Sequence, residues 1–191
     1  MSSYQNQIKT NRWRCRKGDK IMKRCLIIIT LVYLTFGACL VNAQKLVPAP
    51  NFSLVDVSDK MINLSDFEGK NVILVFYVNH AWQPCLQQLG ELQKRIGEIR
   101  ELNAEVIAIA SLGNRADVEK TQKVLGITFP LIYGPNRKIA EEFGIYDAQR
   151  KLAIATIILD KEGMIRFKYT GRGDQDRPSF SKIINTLKEI K

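Results

Sequence analysis

Histidine occurs once in this 191-residue chain, as His80, and of its four cysteines only Cys85 lies beyond residue 43. With one imidazole, one thiol and no other soft ligand in that stretch, a zinc site is not expected. A single cysteine cannot close a disulfide within the domain either. Cys85 is therefore reactive, paired with another molecule, or a small buried apolar side chain. Repeats and low-complexity tracts are missing as well, which leaves one domain long enough to bury an ordinary core. Acids are scarce at the front: residues 1–43 hold eight Lys/Arg and one acid, Asp19, for +7. Of the formal +10 of the whole chain, only +3 is left for the rest. A domain so mixed in sign carries no nucleic-acid signature, and the basic excess belongs to the front segment.

From Met22 that segment reads MKRCLIIITLVYLTFGACLVNAQ. Two basic residues precede an apolar run from Cys25 to Val41, and VNA before Gln44 has the small-residue pattern of a signal-peptidase site. The run of about seventeen residues lies at the lower edge of what spans a bilayer, so a retained membrane anchor is the rival reading. Lipid attachment at Cys39 in FGAC is the third, with Phe36 a poor fit to such a box. The residues before Met22 are long and unpatterned for the basic part of a signal, which makes Met22 an alternative start. All three readings export the domain, to the periplasm or the extracytoplasmic face of a membrane. Residues 1–43 are thus read as leader or anchor, 44–50 as a proline-punctuated linker, and 51–191 as the folded domain.

Within the domain, NFSLVDV and KMINL, separated by SDK, form a small hairpin. In LSDFEGK, Ser65 is an expected N-cap with Glu68 three places on and Gly69 as the stop. NVILVFYV (71–78) is almost continuously apolar, as a strand buried on both faces should be. From Cys85 the apolar residues fall at Leu89, Leu92, Ile96 and Ile99, which predicts one helix of four to five turns with a single buried stripe. AEVIAIAS (104–111) is the next core strand. NRADVEKTQKVLG is a helix stopped by Gly126, ITFPLI a short strand punctuated by Pro130, and NRKIAEEFG a helix ended by Gly144. IATIILD and MIRFKYTG are antiparallel strands joined at Lys161-Glu162-Gly163. RPSFSKIINTLKEIK closes the chain as a helix with Ile183, Ile184, Leu187 and Ile190 on one side. Strands alternating with helices imply a central sheet covered on both faces, with the late hairpin at an antiparallel edge.

This order, with Cys85 just past the first long strand, resembles the thioredoxin fold and, more closely, the peroxiredoxin-like alkyl hydroperoxide reductase/thiol-specific antioxidant proteins. The resemblance covers residues 49–187. It rests on APNFSLVDV…INLSDFEGKNVILVFY, on PCLQQLGELQ, on AEVIAIAS and on TIILDKEGMIRFKYTGRGDQDRPS. It implies an α/β thioredoxin-like fold, a central mixed sheet flanked by helices with an N-terminal β-hairpin extension. Thioredoxin-type members have two cysteines two residues apart; the second maps onto Cys85 and the first onto Trp82, so the dithiol is missing. Peroxiredoxins place a proline seven residues before their reactive cysteine and a threonine or serine three before it, positions held here by Val78 and Trp82. Their arginine, six residues before the Asp ending the penultimate strand, is Ile154 counted back from Asp160, and the cis-proline of thioredoxins is missing there too.

The resemblance makes Cys85 the candidate nucleophilic thiolate, attacking a hydroperoxide and being reduced by an external thiol. A free thiol with a pKa of about 8.5 is only a few per cent ionised at neutral pH. The positive end of the helix dipole favours an anion in the first turn, and Arg150, Arg172 and Arg177 are candidate cations from other segments. Set against this, Cys85 is in register with the buried stripe, as an inert core thiol would be. His80 is a candidate for thiolate support or a solvated loop residue. Trp82 is a lid over the sulfur or a substrate contact, and Pro84, also a candidate substrate contact, fits the first helical turn. GRGDQDRP is an anion-binding loop or a polar turn in which Asp176 and Arg177 are solvated or capping.

Three functions stay open: an exported one-cysteine antioxidant peroxidase, a thiol–disulfide exchange protein acting on protein disulfides, or a non-catalytic binding module. A cation near the sulfur fits an enzyme, and an apolar cage of Trp82, Ile154 and Val78 fits the module. No cofactor, metal or nucleic acid is expected. Membrane association enters only through the N-terminus, and no segment specifies an oligomer interface.

Overall fold

The structure, a computed structural model, describes residues 46–78, 83–134, 136–145, 154–172 and 176–190. In chain order the strands are β1 (Val47–Pro48), β2 (Ser53–Val55), β3 (Met61–Asn63), β4 (Asn71–Tyr77), β5 (Ala104–Ala110), β6 (Leu131–Ile132), β7 (Ala155–Leu159) and β8 (Met164–Thr170). The helices are α1 (Gln83–Lys94), α2 (Ile96–Glu101), α3 (Arg115–Leu125), α4 (Arg137–Glu142) and α5 (Phe180–Glu189). Six strands form one mixed sheet in the order β1-β8-β7-β4-β5-β6, and β2 pairs with β3 in a separate hairpin. This is the thioredoxin-like arrangement, with the hairpin as its N-terminal extension.

The centre of the sheet explains the apolar runs. Every residue of β4 is buried, between parallel β5 and antiparallel β7. Its side chains alternate between two layers. Ile73, Val75 and Tyr77 face a core closed by α1, α3 and α5 through Leu89, Leu92, Val118, Ile183 and Leu187. Val72, Leu74 and Phe76 face the other, closed by Phe143 after α4 and by Phe52 and Ile62 of the hairpin. Full burial on both faces is why no alternation shows in the sequence of β4.

The expected stops hold. Gly126, Gly144 and Gly163 all adopt positive φ, at 61°, 60° and 74°, where a side chain would be strained. Ser179 caps α5 and Asn114 caps α3, each accepting a hydrogen bond from the backbone N–H three residues on.

Four details differ from the sequence reading. The long helix is interrupted at Arg95 (φ −114°, ψ 23°), giving α1 and α2 in succession. The Arg95 guanidinium lies 3.8 Å from the Phe180 ring centroid and is bonded to Glu98, and Gly97 weakens the next turn. The segment after β3 is a single 3-10 turn, Leu64–Phe67, and its cap is Asn63 rather than Ser65. There the Asp66 carboxylate accepts from both the backbone and the side-chain N–H of Asn63. Strand β6 has only two residues, starting after Pro130, which has no N–H to extend the ladder. Part of the expected linker is sheet: β1 pairs with β8 at Val47↔Ile165 and Pro48↔Met164. Among the described residues no helix is long and apolar enough to cross a membrane.

Candidate active site

Strand β4 delivers the chain to the carboxyl end of the parallel pair, where open α/β sheets form their sites. Cys85 is the third residue of α1, on its inner face, and is 1% exposed. It packs in the same layer as Tyr77, Leu89, Ile154 and Phe180, with Val78 against the edge. Two members of the suspected apolar cage belong to this layer: Ile154 lies within it and Val78 packs against it. Trp82, the third, lies outside the described residues, as do His80 and Arg150.

A cation is there too. Arg177 reaches across from the segment before α5. Its Nη1 donates to the Pro84 carbonyl at 2.6 Å and its Nη2 to Gln87 Oε1 at 2.9 Å. Arg177 is half-buried and tied to the turn that carries Cys85, which corrects its expected role as a solvated or capping residue. Pro84 is half-buried, and its carbonyl is the anchor for this contact. The loop is held in turn by Asp176, whose carboxylate accepts from the Tyr169 hydroxyl and, at 2.8 Å, from the Arg172 backbone N–H. Gly171 N–H donates to the Ile154 carbonyl at 2.8 Å, locking the loop to the start of β7. Arg172 is exposed and joins this arrangement through its backbone N–H, with its charge also favouring the Asp176 carboxylate.

The balance of forces on the sulfur runs against the helix dipole. Burial pushes the Cys85 thiol above its ordinary range, while a Val78 backbone hydrogen bond and the Arg177 charge pull it down without overcoming that penalty. The helix position favours a thiolate, but the dry surroundings keep the proton on.

Two polar side chains of the site carry no sequence signal of their own. Tyr77, the last residue of β4, is fully buried. Burial, and secondarily the neighbouring Cys85 charge, hold its hydroxyl protonated far above the ordinary phenol range. Gln88, three residues after Cys85, is buried on the same helical face, and its Nε2 donates to Thr156 Oγ1 at 3.0 Å. In the sequence Tyr77 passes for one more residue of an apolar strand and Gln88 for part of the polar face of the helix.

Among the described residues no group of three or more His, Cys, Asp or Glu side chains is placed to hold a metal ion. A cleft of about 230 Å³ bordered by Pro48, Phe67, Lys70, Asp160 and Gly163 opens at the opposite end of β4 and β7, away from Cys85.

Comparison with known proteins identifies the family and the fold. Residues 47–168 match the AhpC/TSA family. The chain is 29% identical over 123 residues to the thiol-disulfide oxidoreductase ResA of Halalkalibacterium halodurans, an alignment covering 64% of this chain and 66% of that protein. It is also 29% identical over 123 residues to alkyl hydroperoxide reductase E of Mycobacterium tuberculosis, covering 62% of this chain and 80% of that one. Among solved structures, peroxidoxin BcpB from Mycobacterium tuberculosis superposes with a TM-score of 0.66 at 20% identity, over 76% of this chain and 96% of that one. A putative thiol:disulfide interchange protein DsbE from Chlorobium tepidum gives 0.61 at 19%, over 75% and 98%. At these identities the structural likeness establishes the fold. The chain belongs to the AhpC/TSA family, as a peroxiredoxin-like protein of thioredoxin fold.

Proposed function

We propose that the chain is an exported thiol oxidoreductase that reduces hydroperoxides through Cys85, with electrons from an external thiol. The observation that carries this reading is the placement of Cys85 in the first turn of α1 with the Arg177 guanidinium bonded to the carbonyl beside it. The ionised sulfur attacks the terminal oxygen of the peroxide. The S–O bond forms as the O–O bond breaks, the alcohol leaves with a proton, and Cys85 becomes a sulfenic acid. An external thiol condenses with it, releasing water and leaving a mixed disulfide. A second such thiol frees Cys85 and departs as a disulfide. No other cysteine lies beyond residue 43, so both thiols come from the reductant. His80 as support for the thiolate, and Trp82 and Pro84 as substrate contacts, belong to the same reading. The named activity of ResA supports a variant in which a protein disulfide replaces the peroxide.

A second reading is favoured by a specific observation: the 1% exposure of Cys85 and the upward push on its thiol suit a non-catalytic binding module. The two separate in the oxidation rate of Cys85 by hydrogen peroxide and an alkyl hydroperoxide, followed from about pH 6 to about pH 10, with Cys85→Ser as the blank. Because burial raises the thiol pKa, the thiolate fraction at neutral pH is below that of a free thiol. The rate is expected to climb through and past the ordinary thiol range near about 8.5. Arg177→Gln removes a charge that favours the thiolate and shifts the profile further upward; Arg177→Lys restores part of the shift. Per thiolate, the rate should exceed that of a small-molecule thiol. A rate at or below it would sink the peroxidase reading in favour of the module.

Export belongs to the proposal, with residues 1–43 as leader or anchor, 44–50 as the segment leading out of it and 51–191 as the bulk of the exported domain. Cell fractionation with intact-mass analysis should find the protein outside the cytoplasm, either cut near Ala43 or retained on the membrane. Full-length protein in the cytoplasm would overturn it.

A further inference from the structure

We propose that Tyr77 and Gln88 form the cradle for the oxygen atom that Cys85 acquires on oxidation. The inference rests on the peroxide reading above and adds the groups that hold the reacting oxygen. The Tyr77 hydroxyl and Gln88 Oε1 are buried and have no hydrogen-bond partner among the described residues. Orphaned polar atoms in a core destabilise the fold, so phenylalanine and leucine would pack these two positions better.

Tyr77 shares the core layer that holds this thiol, and Gln88 is buried on the same helix. Tyr77 follows Ile73 and Val75 on the face of β4 that packs against α1, and its hydroxyl is close enough to feel the charge on Cys85. Gln88 is the neighbour of Cys85 one turn along α1. Its amide is pinned by Thr156, which pairs with Val75 across the β4–β7 ladder and so shares that face. Two polar atoms that lack partners while the sulfur is a thiol gain them when it carries an oxygen. Tyr77 donates its O–H to that oxygen, and Gln88 Oε1 accepts the proton of the S–O–H group.

The same contacts act during the reaction. As the thiolate attacks, the S–O bond forms and the O–O electron pair moves to the departing oxygen, so negative charge builds on both oxygens. A fixed donor in a dry site stabilises that charge with little reorganisation. Tyr77 remains protonated across the working pH range, so it is available as that donor. The hydroxyl that peroxiredoxins place three residues before the cysteine is replaced here by Trp82, and Tyr77 supplies one from the strand instead.

The test compares the wild-type chain with Tyr77→Phe and Gln88→Leu. The sulfenic acid formed by hydrogen peroxide is trapped with dimedone and quantified by mass, and the thermal midpoint is measured alongside. Tyr77→Phe is expected to slow sulfenic acid formation about tenfold or more, with an unchanged or higher midpoint because an orphaned hydroxyl is gone. Gln88→Leu should shorten the lifetime of the sulfenic acid, again with no loss of stability. A slower rate accompanied by a lower midpoint in both variants would mark the residues as structural and overturn the inference. So would an unchanged rate and lifetime in variants of a wild type that oxidises readily, and in that case the peroxide reading survives. If the wild type itself, per thiolate, reacts no faster than a free thiol, both fall together.

Discussion

Gly171→Ala is expected to lower the unfolding free energy by about 1–3 kcal/mol and to push the Cys85 thiol further upward. A β-carbon at Gly171 would run into the backbone carbonyl of Asp176 and crowd that of Ile154. Neither obstacle is a side chain that could swing aside. The Asp176 backbone is held by its own carboxylate, bonded to Tyr169 and to the Arg172 N–H, and Gly171 is held by the Ile154 carbonyl. The strain therefore passes to the next residue in line, Arg177. Moving it withdraws the guanidinium from the Pro84 carbonyl and weakens its cationic influence on the sulfur. Urea unfolding reads the stability, and the pH dependence of Cys85 alkylation reads the thiol. If stability falls while the alkylation profile stays where it is in the wild type, the loop does not control the site. If neither moves, the close packing at Gly171 is wrong.

Leu89→Ala should cost about 2–5 kcal/mol, the range for truncating a fully buried leucine. Leu89 is 0% exposed and sits one turn beyond Cys85 on the inner face of α1, between the helix and β4. The cavity would lie beside the sulfur and relax the enclosure that keeps the thiol protonated. A lower unfolding midpoint should thus come with faster labelling of Cys85 by a neutral disulfide reagent at neutral pH. A wild-type midpoint would show that α1 does not pack on β4 through this residue. A lower midpoint with unchanged labelling would separate the burial of Cys85 from the packing of its helix.

Such effects follow from a fold largely legible in the residues. Periodicity is local, so the unbroken apolar run of β4, the stripe of α5 and the glycine stops at 126, 144 and 163 announced themselves. The interruption at Arg95 did not, because its guanidinium rests on Phe180, a residue on another helix. The cap at Asn63 was missed for a local reason, because Asn63 and Ser65 are both capping residue types and only the bond to Asp66 tells them apart. Val47 and Pro48 looked like linker because an edge strand of two residues has no period to detect.

Family membership and the standing of Cys85 as the one thiol beyond residue 43 were both present in the linear chain, since motif order and composition are properties of sequence. The environment of that thiol was not. Its upward push comes from a layer assembled out of β4, α1, β7 and α5, and the opposing charge comes from Arg177, 93 residues beyond Pro84. Tyr77 and Gln88 were likewise unremarked until β4 and α1 folded onto one face. A pKa and a hydrogen-bond deficit are sums over neighbours in space, and sequence spacing records only neighbours along the chain.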